Sequence, residues 1–464
     1  MSKYNIDDTI AALATPVGEA SISVIRVSGP EAFQITEAIF VSKAPSKISE
    51  LESHTVHLGE VRDQNGRGID QVLVTVFRAP NSYTGEDVVE ISCHGGYAIT
   101  RRILECVYRA GARNAEPGEF TKRAFLSGKL DLTQAEAVVD LIRSKSEQSL
   151  QVALNQLGGE LSRKFRALRE ELMKMYAHME GYLDFPEDDI EVYTDEEFRG
   201  RFIRLKAELG QLLAGFRRGA LLREGAAAVL VGRPNVGKSS LFNALLARER
   251  ALVSEFPGTT RDHLEEAIEV GGIYIRLIDT AGLSHDSGNP LDRIGMERTR
   301  ENIGSAELIL FVVDGSEALT DEDRKIFAEI PQEKRILVVI NKTDLPSRLD
   351  VSKLKELSRR KAVLRASSRT GDGIRQLEAE MVDSLLEGRV SVEGEQITRL
   401  RHKTALETAL AAITQAEAAF YRKESLEIVI LDIKTAVDQL RELIGEIYSE
   451  DLLDVVFSEF CIGK

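Results

Sequence analysis

The spacing of apolar and polar positions changes character along the chain. Up to about residue 121 the apolar residues come in short runs that alternate or stay continuous, as strands do: Ser21-Ile22-Ser23-Val24-Ile25-Arg26-Val27 and Gln71-Val72-Leu73-Val74-Thr75-Val76-Phe77. Asp87 to Ser92 predicts a further strand, leading into Cys93-His94-Gly95-Gly96, and Ala98 to Arg109 predicts a helix. Gly29-Pro30, Asn65-Gly66 and Ala79-Pro80-Asn81 carry turn chemistry between them. Residues 1–121 therefore read as an α+β unit of their own.

From about Leu132 the period lengthens. Leu150, Leu154, Leu157, Leu161, Phe165, Leu168, Leu172, Met175 and Met179 recur at threes and fours, the apolar face of a long helix that Gly158-Gly159 bends. The stripe is ordinary helical core. Phe185-Pro186-Glu187-Asp188-Asp189 breaks it, and another helix follows near Glu196 to Leu222. Residues 223–384 alternate strands with helices, the pattern of a parallel sheet, with strands expected at Ala227–Gly232, Tyr274–Asp279, Leu308–Asp314, Ile336–Asn341 and Ala362–Ser367. Beyond residue 385 helix returns, marked by Leu406, Leu410, Ile413 and Phe420, then by Ile430, Ile433, Val437, Leu440 and Ile444. The expected fold is multidomain α/β: residues 1–121, a helical domain in two parts at 122–222 and 385–464, and an α/β unit at 223–384 inserted between those parts.

Composition narrows the class. With 43% hydrophobic and 29% charged residues the chain reads as soluble and globular, and no apolar run approaches the ~18 residues of a membrane span. Cys93, Cys106 and Cys461 show no Cys-x-x-Cys spacing, which points to a reducing, cytoplasmic compartment and away from disulfides or a zinc site. A net charge of −15 excludes nucleic-acid binding by bulk electrostatics, so an RNA role needs a local basic patch or a basic partner.

Chemistry enters at Gly232-Arg233-Pro234-Asn235-Val236-Gly237-Lys238-Ser239, which fits the phosphate-binding pattern G-x-x-x-x-G-K-[ST]. The apolar run Ala227–Val231 precedes it and a helical pattern, Ser240 to Leu246, follows, the context such a loop needs. Glycines let backbone N–H groups close round phosphates, and the helix N-terminus adds positive potential. Lys238 is placed to reach the β- and γ-phosphates and Ser239 to ligate Mg²⁺. Later motifs fall at workable distances: Gly258-Thr259-Thr260-Arg261-Asp262 in a loop, then Asp279-Thr280-Ala281-Gly282 and Asn341-Lys342-Thr343-Asp344 at strand ends, then Ser367-Ser368-Arg369. The threonine loop offers a hydroxyl to Mg²⁺; Asp279 is placed to hold a Mg²⁺-bound water and the Gly282 N–H to sense the γ-phosphate. Asp344 chooses the base. Its carboxylate accepts from N1–H and the 2-amino group of guanine, whereas adenine would leave a buried acceptor unpaired. Together the motifs specify a guanine-nucleotide site.

Two details bear on hydrolysis. The position where small GTPases carry a water-orienting glutamine is Leu283 here. Asn235, inside the phosphate loop, has two readings: its amide oxygen helps hold a monovalent cation, or it pins its own loop.

Further stretches resemble one family from end to end, the MnmE (TrmE) tRNA-modification GTPases. They are Asp8-Thr9-Ile10-Ala11-Ala12-Leu13-Ala14-Thr15-Pro16 with Arg26-Val27-Ser28-Gly29; Ser82-Tyr83-Thr84-Gly85-Glu86-Asp87 with His94-Gly95-Gly96; Pro117 to Leu126; Gly128-Lys129-Leu130-Asp131-Leu132; and Cys461-Ile462-Gly463-Lys464. The resemblance implies a homodimer with an N-terminal folate-binding and dimerisation domain, a discontinuous helical domain and an inserted G domain. It implies partnership with the flavoprotein MnmG (GidA), as a heterotetramer or larger, in building an aminomethyl-type group, carboxymethylaminomethyl among them, on carbon 5 of the wobble uridine of certain tRNAs. A reduced folate, 5-formyl- or 5,10-methylene-tetrahydrofolate, supplies the one-carbon unit, and GTP hydrolysis needs Mg²⁺ and is stimulated by K⁺.

Carried over by motif, the nucleotide contacts are Asn235, Val236, Gly237, Lys238, Ser239 and Ser240; Ser254, Glu255, Phe256, Pro257, Gly258, Thr259 and Thr260; Asp279, Thr280, Ala281 and Gly282; Asn341, Lys342, Thr343 and Asp344; and Ser367, Ser368 and Arg369. The resemblance assigns Mg²⁺ to Ser239 and Thr260, K⁺ to Asn235, Ser254, Phe256 and Thr259, and folate to Arg26, Glu90, Lys129 and Lys464. Read as bare residues, Arg26 and Glu90 are equally an ion pair, Lys464 a frayed terminus and Cys461 a small hydrophobe rather than a nucleophile. The family has a glutamate before an Arg-Ile-Gly run; here Asp292 precedes Arg293-Ile294-Gly295, as a catalytic carboxylate or as the cap of the helix that starts there. The alternative to a modification enzyme is a ribosome-assembly GTPase that uses GTP only as a switch; the folate-type N-terminus and the C-terminal Cys-Ile-Gly-Lys favour the enzyme.

Overall fold

A computed structural model describes residues 7–43, 47–184, 193–249, 265–279, 300–357, 362–386 and 395–464. The chain forms two compact units, one of Met1–Ile142, Leu154–Lys206 and Ala405–Lys464, the other of Arg143–Ala153 and Ala207–Thr404.

The first unit opens with strands β1 (Ile10–Leu13), β2 (Ala20–Ser28), β3 (Phe40–Ser42), β4 (Thr55–Arg62), β5 (Gly68–Phe77), β6 (Val88–Gly95) and β7 (Arg113–Asn114). They form a seven-stranded sheet in the order β3-β4-β5-β6-β2-β1-β7, antiparallel except where β7 joins β1. Alternation in β5 sends Val72, Val74 and Val76 to one face, where with Ile25, Val27, Val89 and Ile91 they form a core with helices α1 (Ala32–Ile39) and α2 (Tyr97–Arg109). Register sets Arg26 opposite Glu90 across β2 and β6.

Helices α3 (Glu119–Leu126), α4 (Leu132–Arg143), α5 (Glu147–Leu157), α6 (Glu160–Asp184) and α7 (Asp195–Glu224) follow. The expected single long helix is two. Gly159, at φ +79°, interrupts it, and the side-chain amide of Gln134 donates to the freed Leu157 carbonyl at 2.9 Å. The break shifts the phase of the stripe. Leu161, Phe165, Leu168, Leu172, Met175 and Met179 are buried in α6, whereas in α5 Leu154 is exposed and Ala153 and Gln156 are buried instead. The connector at Phe185–Asp189 lies outside the described residues. Helices Leu400–Tyr421 and Leu426–Ile444 form as expected, the latter packing on α6. A last helix, Glu450–Ser458, is absent from the periodicity reading because it offers only two turns. Ser449 caps it, accepting from the Leu452 N–H at 3.1 Å, and Leu453, Val456 and Phe457 pack on Phe125 and Leu132.

The second unit carries β8 (Ala226–Val231), α8 (Lys238–Glu249), β9 (Glu265–Val270), β10 (Ile273–Asp279), β11 (Leu308–Asp314), β12 (Ile336–Asn341) and β13 (Val363–Arg365). The sheet order is β13-β12-β11-β8-β10-β9, parallel apart from the edge pair β9–β10. Strands β8, β11 and β12 are buried at every position, as a parallel sheet covered on both faces requires. Strand β9 is an addition to the sequence reading: Glu-Glu-Ala-Ile-Glu-Val is too charged for a central strand and sits at the edge, where Ile268 and Val270 are buried. Strand β13 stops at Arg365, short of the expected Ser367, because Ser367 turns back to donate its N–H to the Asp372 carbonyl at 2.9 Å.

Candidate functional site

The phosphate loop leaves the buried strand β8 and enters α8. Its glycines are required by contact as well as by conformation. A Cβ on Gly232 would lie 2.3 Å from the Val312 carbonyl oxygen, and one on Gly237, at φ +93°, 2.3 Å from the side-chain nitrogen of Asn341. Val236 is fully buried and anchors the loop in the core of this unit, while Asn235, Ser239 and Ser240 are exposed. Lys238 lies along the loop and donates to the carbonyls of Gly232 at 2.7 Å and Arg233 at 3.0 Å. Burial pulls its pKa below the ordinary lysine value, partly offset by the charge of Asp279. The Ser239 hydroxyl donates to Asp279 Oδ2 at 2.8 Å, and the second oxygen of that carboxylate, Oδ1, is buried without a hydrogen-bond partner.

Base-side motifs close on the same loop. Asn341 is fully buried; its Nδ2 donates to the carbonyls of Val236 at 3.0 Å and Gly237 at 3.3 Å, and its Oδ1 accepts from the Ser368 N–H at 3.1 Å. One amide thus ties the phosphate loop to the loop after β13. The Ser367 hydroxyl donates to Asp344 Oδ1 at 2.7 Å, which orients that carboxylate, and Arg369, largely exposed, comes within 4.0 Å of its other oxygen. Thr343 donates its N–H to the Ala366 carbonyl at 3.3 Å. Lys342 donates to the Asn235 carbonyl at 2.7 Å and to Asp314 Oδ2 at 2.6 Å. Asp314 ends an expected strand but is not among the expected site residues. Its signal was present, a lone carboxylate ending the apolar run Leu308–Val313 beside the loop-bearing strand. Burial pushes its pKa up, but Lys342 and Ser316 hold it below the usual carboxylate range.

Ser254, Glu255, Phe256, Pro257, Gly258, Thr259, Thr260, Thr280, Ala281, Gly282, Leu283 and Asp292 lie outside the described residues.

In the other unit, Arg26 pairs with Glu90 at 2.8 Å, and the rings of Tyr83 and Phe120 stand 5.2 Å and 5.6 Å from its guanidinium carbon. Its Nη1 is buried without a partner. The C-terminus folds back to this place. The Phe120 N–H donates to the Lys464 carbonyl at 3.2 Å and the Gly118 N–H to that of Cys461 at 3.4 Å. Gly463, at φ +98°, packs so tightly on β1 that a Cβ would meet the Leu13 carbonyl oxygen at 2.2 Å. Burial, with Arg26 nearby, lowers the pKa of Lys464, and Glu90 opposes this. Arg26, Glu90 and Lys464 are therefore neighbours and Lys464 is no frayed end. Lys129 stands apart from the trio: it is exposed, donates to the Pro80 carbonyl at 2.8 Å, and lines a hollow of about 360 Å³ with His54, Phe77, Asn81, Ser82 and Tyr83. Tyr83 belongs to both places. The Cys461 thiol is free and exposed; Cys93 is also free but buried, which pushes its pKa up to about 11.

Among the described residues no helix is long and apolar enough to cross a membrane. The family model for the MnmE helical domain matches residues 132–461, and that for the N-terminus of the GTP-binding protein TrmE matches residues 9–129. The tRNA modification GTPase MnmE of Geobacillus kaustophilus is 43% identical over 98% of this chain and 99% of its own length. Those of Bacillus subtilis, 42% identical over 98% of this chain and 100% of theirs, and of Lactiplantibacillus plantarum, 44% over 98% of each, are similar to the same extent. The solved G domain of the T. maritima FeoB iron transporter aligns over 34% of this chain and 98% of its own, at 27% identity and a TM-score of 0.28. The chain belongs to the MnmE (TrmE) family of tRNA modification GTPases and is a GTP hydrolase of tRNA modification.

Proposed function

We propose that this hydrolase acts, with the flavoprotein MnmG (GidA), on carbon 5 of the wobble uridine of certain tRNAs, that K⁺ stimulates it, and that a reduced folate is its one-carbon donor. The observation that carries the reading is the return of Lys464 to Arg26 and Glu90, since a GTP switch alone has no use for a C-terminus threaded into the N-terminal domain. The unpartnered Nη1 of Arg26 fits an acceptor on a folate ring or carboxylate, with Tyr83 and Phe120 offering flat apolar surfaces beside it. Glu90 and Lys464 complete that set, Lys129 faces the adjoining hollow, and Cys461 is the candidate nucleophile.

At the nucleotide, Ser239 and Thr260 are the Mg²⁺ residues. The unpartnered Oδ1 of Asp279 beside Ser239 suits a carboxylate that takes a metal-bound water. Mg²⁺ there supplies neutralisation of phosphate charge. Asn235, with Ser254, Phe256 and Thr259, is the K⁺ set, and Asp292 the carboxylate that positions water. The four-part division at residues 1–121, 122–222, 223–384 and 385–464 assigns folate binding and dimerisation to the first part. A second copy of the chain would cover Val56, Leu58 and Leu73, exposed on the neighbouring strands β4 and β5. The cytoplasm is the compartment where such a dimer, MnmG and tRNA meet, in a heterotetramer or larger assembly.

Two measurements test the reading. Purified protein should bind 5-formyltetrahydrofolate, and nucleosides from tRNA of a deletion strain should lack the modified wobble uridine; normal nucleosides would overturn it. Hydrolysis should run faster in KCl than in NaCl at equal ionic strength, with Asn235→Ala removing the difference; equal wild-type rates would overturn the K⁺ part.

A further inference from the structure

We infer that Asp314 is a positioning residue for the nucleotide site, holding the phosphate loop in its binding shape through Lys342. The ammonium of Lys342 spans two acceptors, the buried Asp314 Oδ2 at 2.6 Å and the Asn235 carbonyl at 2.7 Å. Asp314 is itself fixed, since its Oδ1 accepts from the Ser316 N–H at 2.8 Å and the Ser316 hydroxyl at 2.6 Å. The two residues that Asp314 secures in this way are conformationally unusual. Asn235 has φ +66° and Lys342 φ +59°, in the left-handed region that residues with a Cβ occupy only where their surroundings hold them. In Asn235 that conformation decides where the following amides of the phosphate loop point.

A second grip comes from the same segment of chain. Arg233, on the other side of Pro234, pairs with Glu317 and, at 3.3 Å, with Asp323. Residues 314–323 therefore hold the phosphate loop at both flanks of Pro234, once directly and once through Lys342. The Lys342 link depends on the carboxylate. A lysine side chain that is one-third exposed reaches water easily, and only the buried negative charge of Asp314 keeps it across the loop. Base choice runs through a separate contact, Ser367 on Asp344. Loss of Asp314 should therefore weaken phosphate binding and leave the choice of base intact.

The test uses the full chain and two ligands, GDP and xanthosine diphosphate, with Mg²⁺. Asp314→Asn keeps the size of the side chain and removes its charge. Its affinity for GDP should fall by roughly tenfold, the loss expected for one charge-assisted hydrogen bond, while the GDP-to-XDP ratio stays at the wild-type value. Ser316→Ala, which loosens Asp314 without touching the loop, should lower GDP affinity in the same direction by about two- to threefold, less than Asp314→Asn because the charge that holds Lys342 remains. The inference rests on the guanine-nucleotide reading, which the wild-type affinity for GDP checks by itself. Wild-type GDP affinity in a folded Asp314→Asn protein would overturn it, and so would a collapse of the GDP-to-XDP ratio. If Asp314→Asn does not fold, Ser316→Ala decides, and unchanged GDP affinity there overturns the inference.

Discussion

The guanine-nucleotide site and the Arg26–Glu90–Lys464 cluster draw on the chain in opposite ways. The described part of the first is made of loops that leave strands of one sheet, so the phosphate loop, Asp279 and residues 341–344 and 367–369 come together because β8, β10, β12 and β13 do. Asn341 reaches Val236 and Gly237 because β12 and β8 both flank β11. The second joins the strand pair β2–β6 to the last residue of the chain, and it exists only when the whole first unit is folded and the tail has returned. A motif-built site fails by single side chains and leaves the rest of the protein untouched. A site made from distant ends fails by anything that moves an end, and its failure is separable from the nucleotide chemistry.

The sharpest way to break this contrast is to remove Cys461 to Lys464. The Gly118 and Phe120 N–H groups lose their partners in the tail, and Arg26 and Glu90 lose Lys464. Wobble-uridine modification should disappear from a complemented deletion strain, while GTP turnover of the purified protein stays within about twofold, as for a change confined to the other compact unit. Modification that survives the deletion would dissolve the cluster as a functional site. GTP turnover lost with it would dissolve the separation.

Within the nucleotide site, hydrolysis and base choice should fail independently. Leu283 cannot polarise water, so we assign that work to Asp292. Asp292→Asn keeps the size of the side chain and an oxygen able to cap a helix, and removes the charge. Single-turnover hydrolysis should fall by roughly 10²-fold, the lower range for a positioned acid–base group, with GTP affinity unchanged. Unaltered hydrolysis would leave Asp292 as a cap only.

Asp344→Asn should act on binding. The amide oxygen can still accept from Ser367, which leaves the amide N–H₂ facing the donors of guanine. GTP affinity should drop by roughly tenfold or more, the cost of an opposed pair at about 1–3 kcal/mol, and xanthosine triphosphate, with an acceptor at that edge, should bind better. Wild-type GTP affinity would remove Asp344 from base reading.

Legibility follows the same division. Strands β8, β10 and β12 could be read because each is a largely apolar run that leads into a motif, and β11 because its apolar run is unbroken. The edge strand β9 could not, because a segment that is half glutamate looks like loop until a neighbour pairs with it. Asp314 was hidden for a related reason: a strand-terminal aspartate gains meaning only from the lysine that a later strand end brings to it. In the first unit, resemblance named Arg26, Glu90 and Lys464, but no periodicity could tell that the tail turns at Gly463 against β1. The helical stripe was right in α6 and out of phase in α5, since a left-handed glycine between them resets the face.

The smallest effect we predict concerns what holds that first unit's cluster in place. Glu119 is buried at the start of α3, one residue before Phe120, and accepts from Arg113 at 2.6 Å and from Arg123 at 3.1 Å; Asp8 pairs with both arginines as well. Burial alone would push the Glu119 pKa up, but the hydrogen bonds from Arg113, from the Glu116 N–H and from Arg123 win, and the pKa lies below its ordinary 4.5. A depressed folded-state pKa means stability that is fully present above the unfolded value and lost as pH falls through the folded one. Glu119→Gln removes the charge at every pH. At pH 7 it should lower the melting temperature of this unit by a few degrees, corresponding to about 1.5–3 kcal/mol for charged hydrogen bonds. The gap to wild type should narrow below about pH 4.5, where the carboxylate takes up its proton in the unfolded chain before it does in the folded one. Melting curves at pH 7, 5 and 3.5 check this. A gap as wide at pH 3.5 as at pH 7 would mean that shape and neutral hydrogen bonding, rather than the carboxylate charge, fix α3 beneath Arg26.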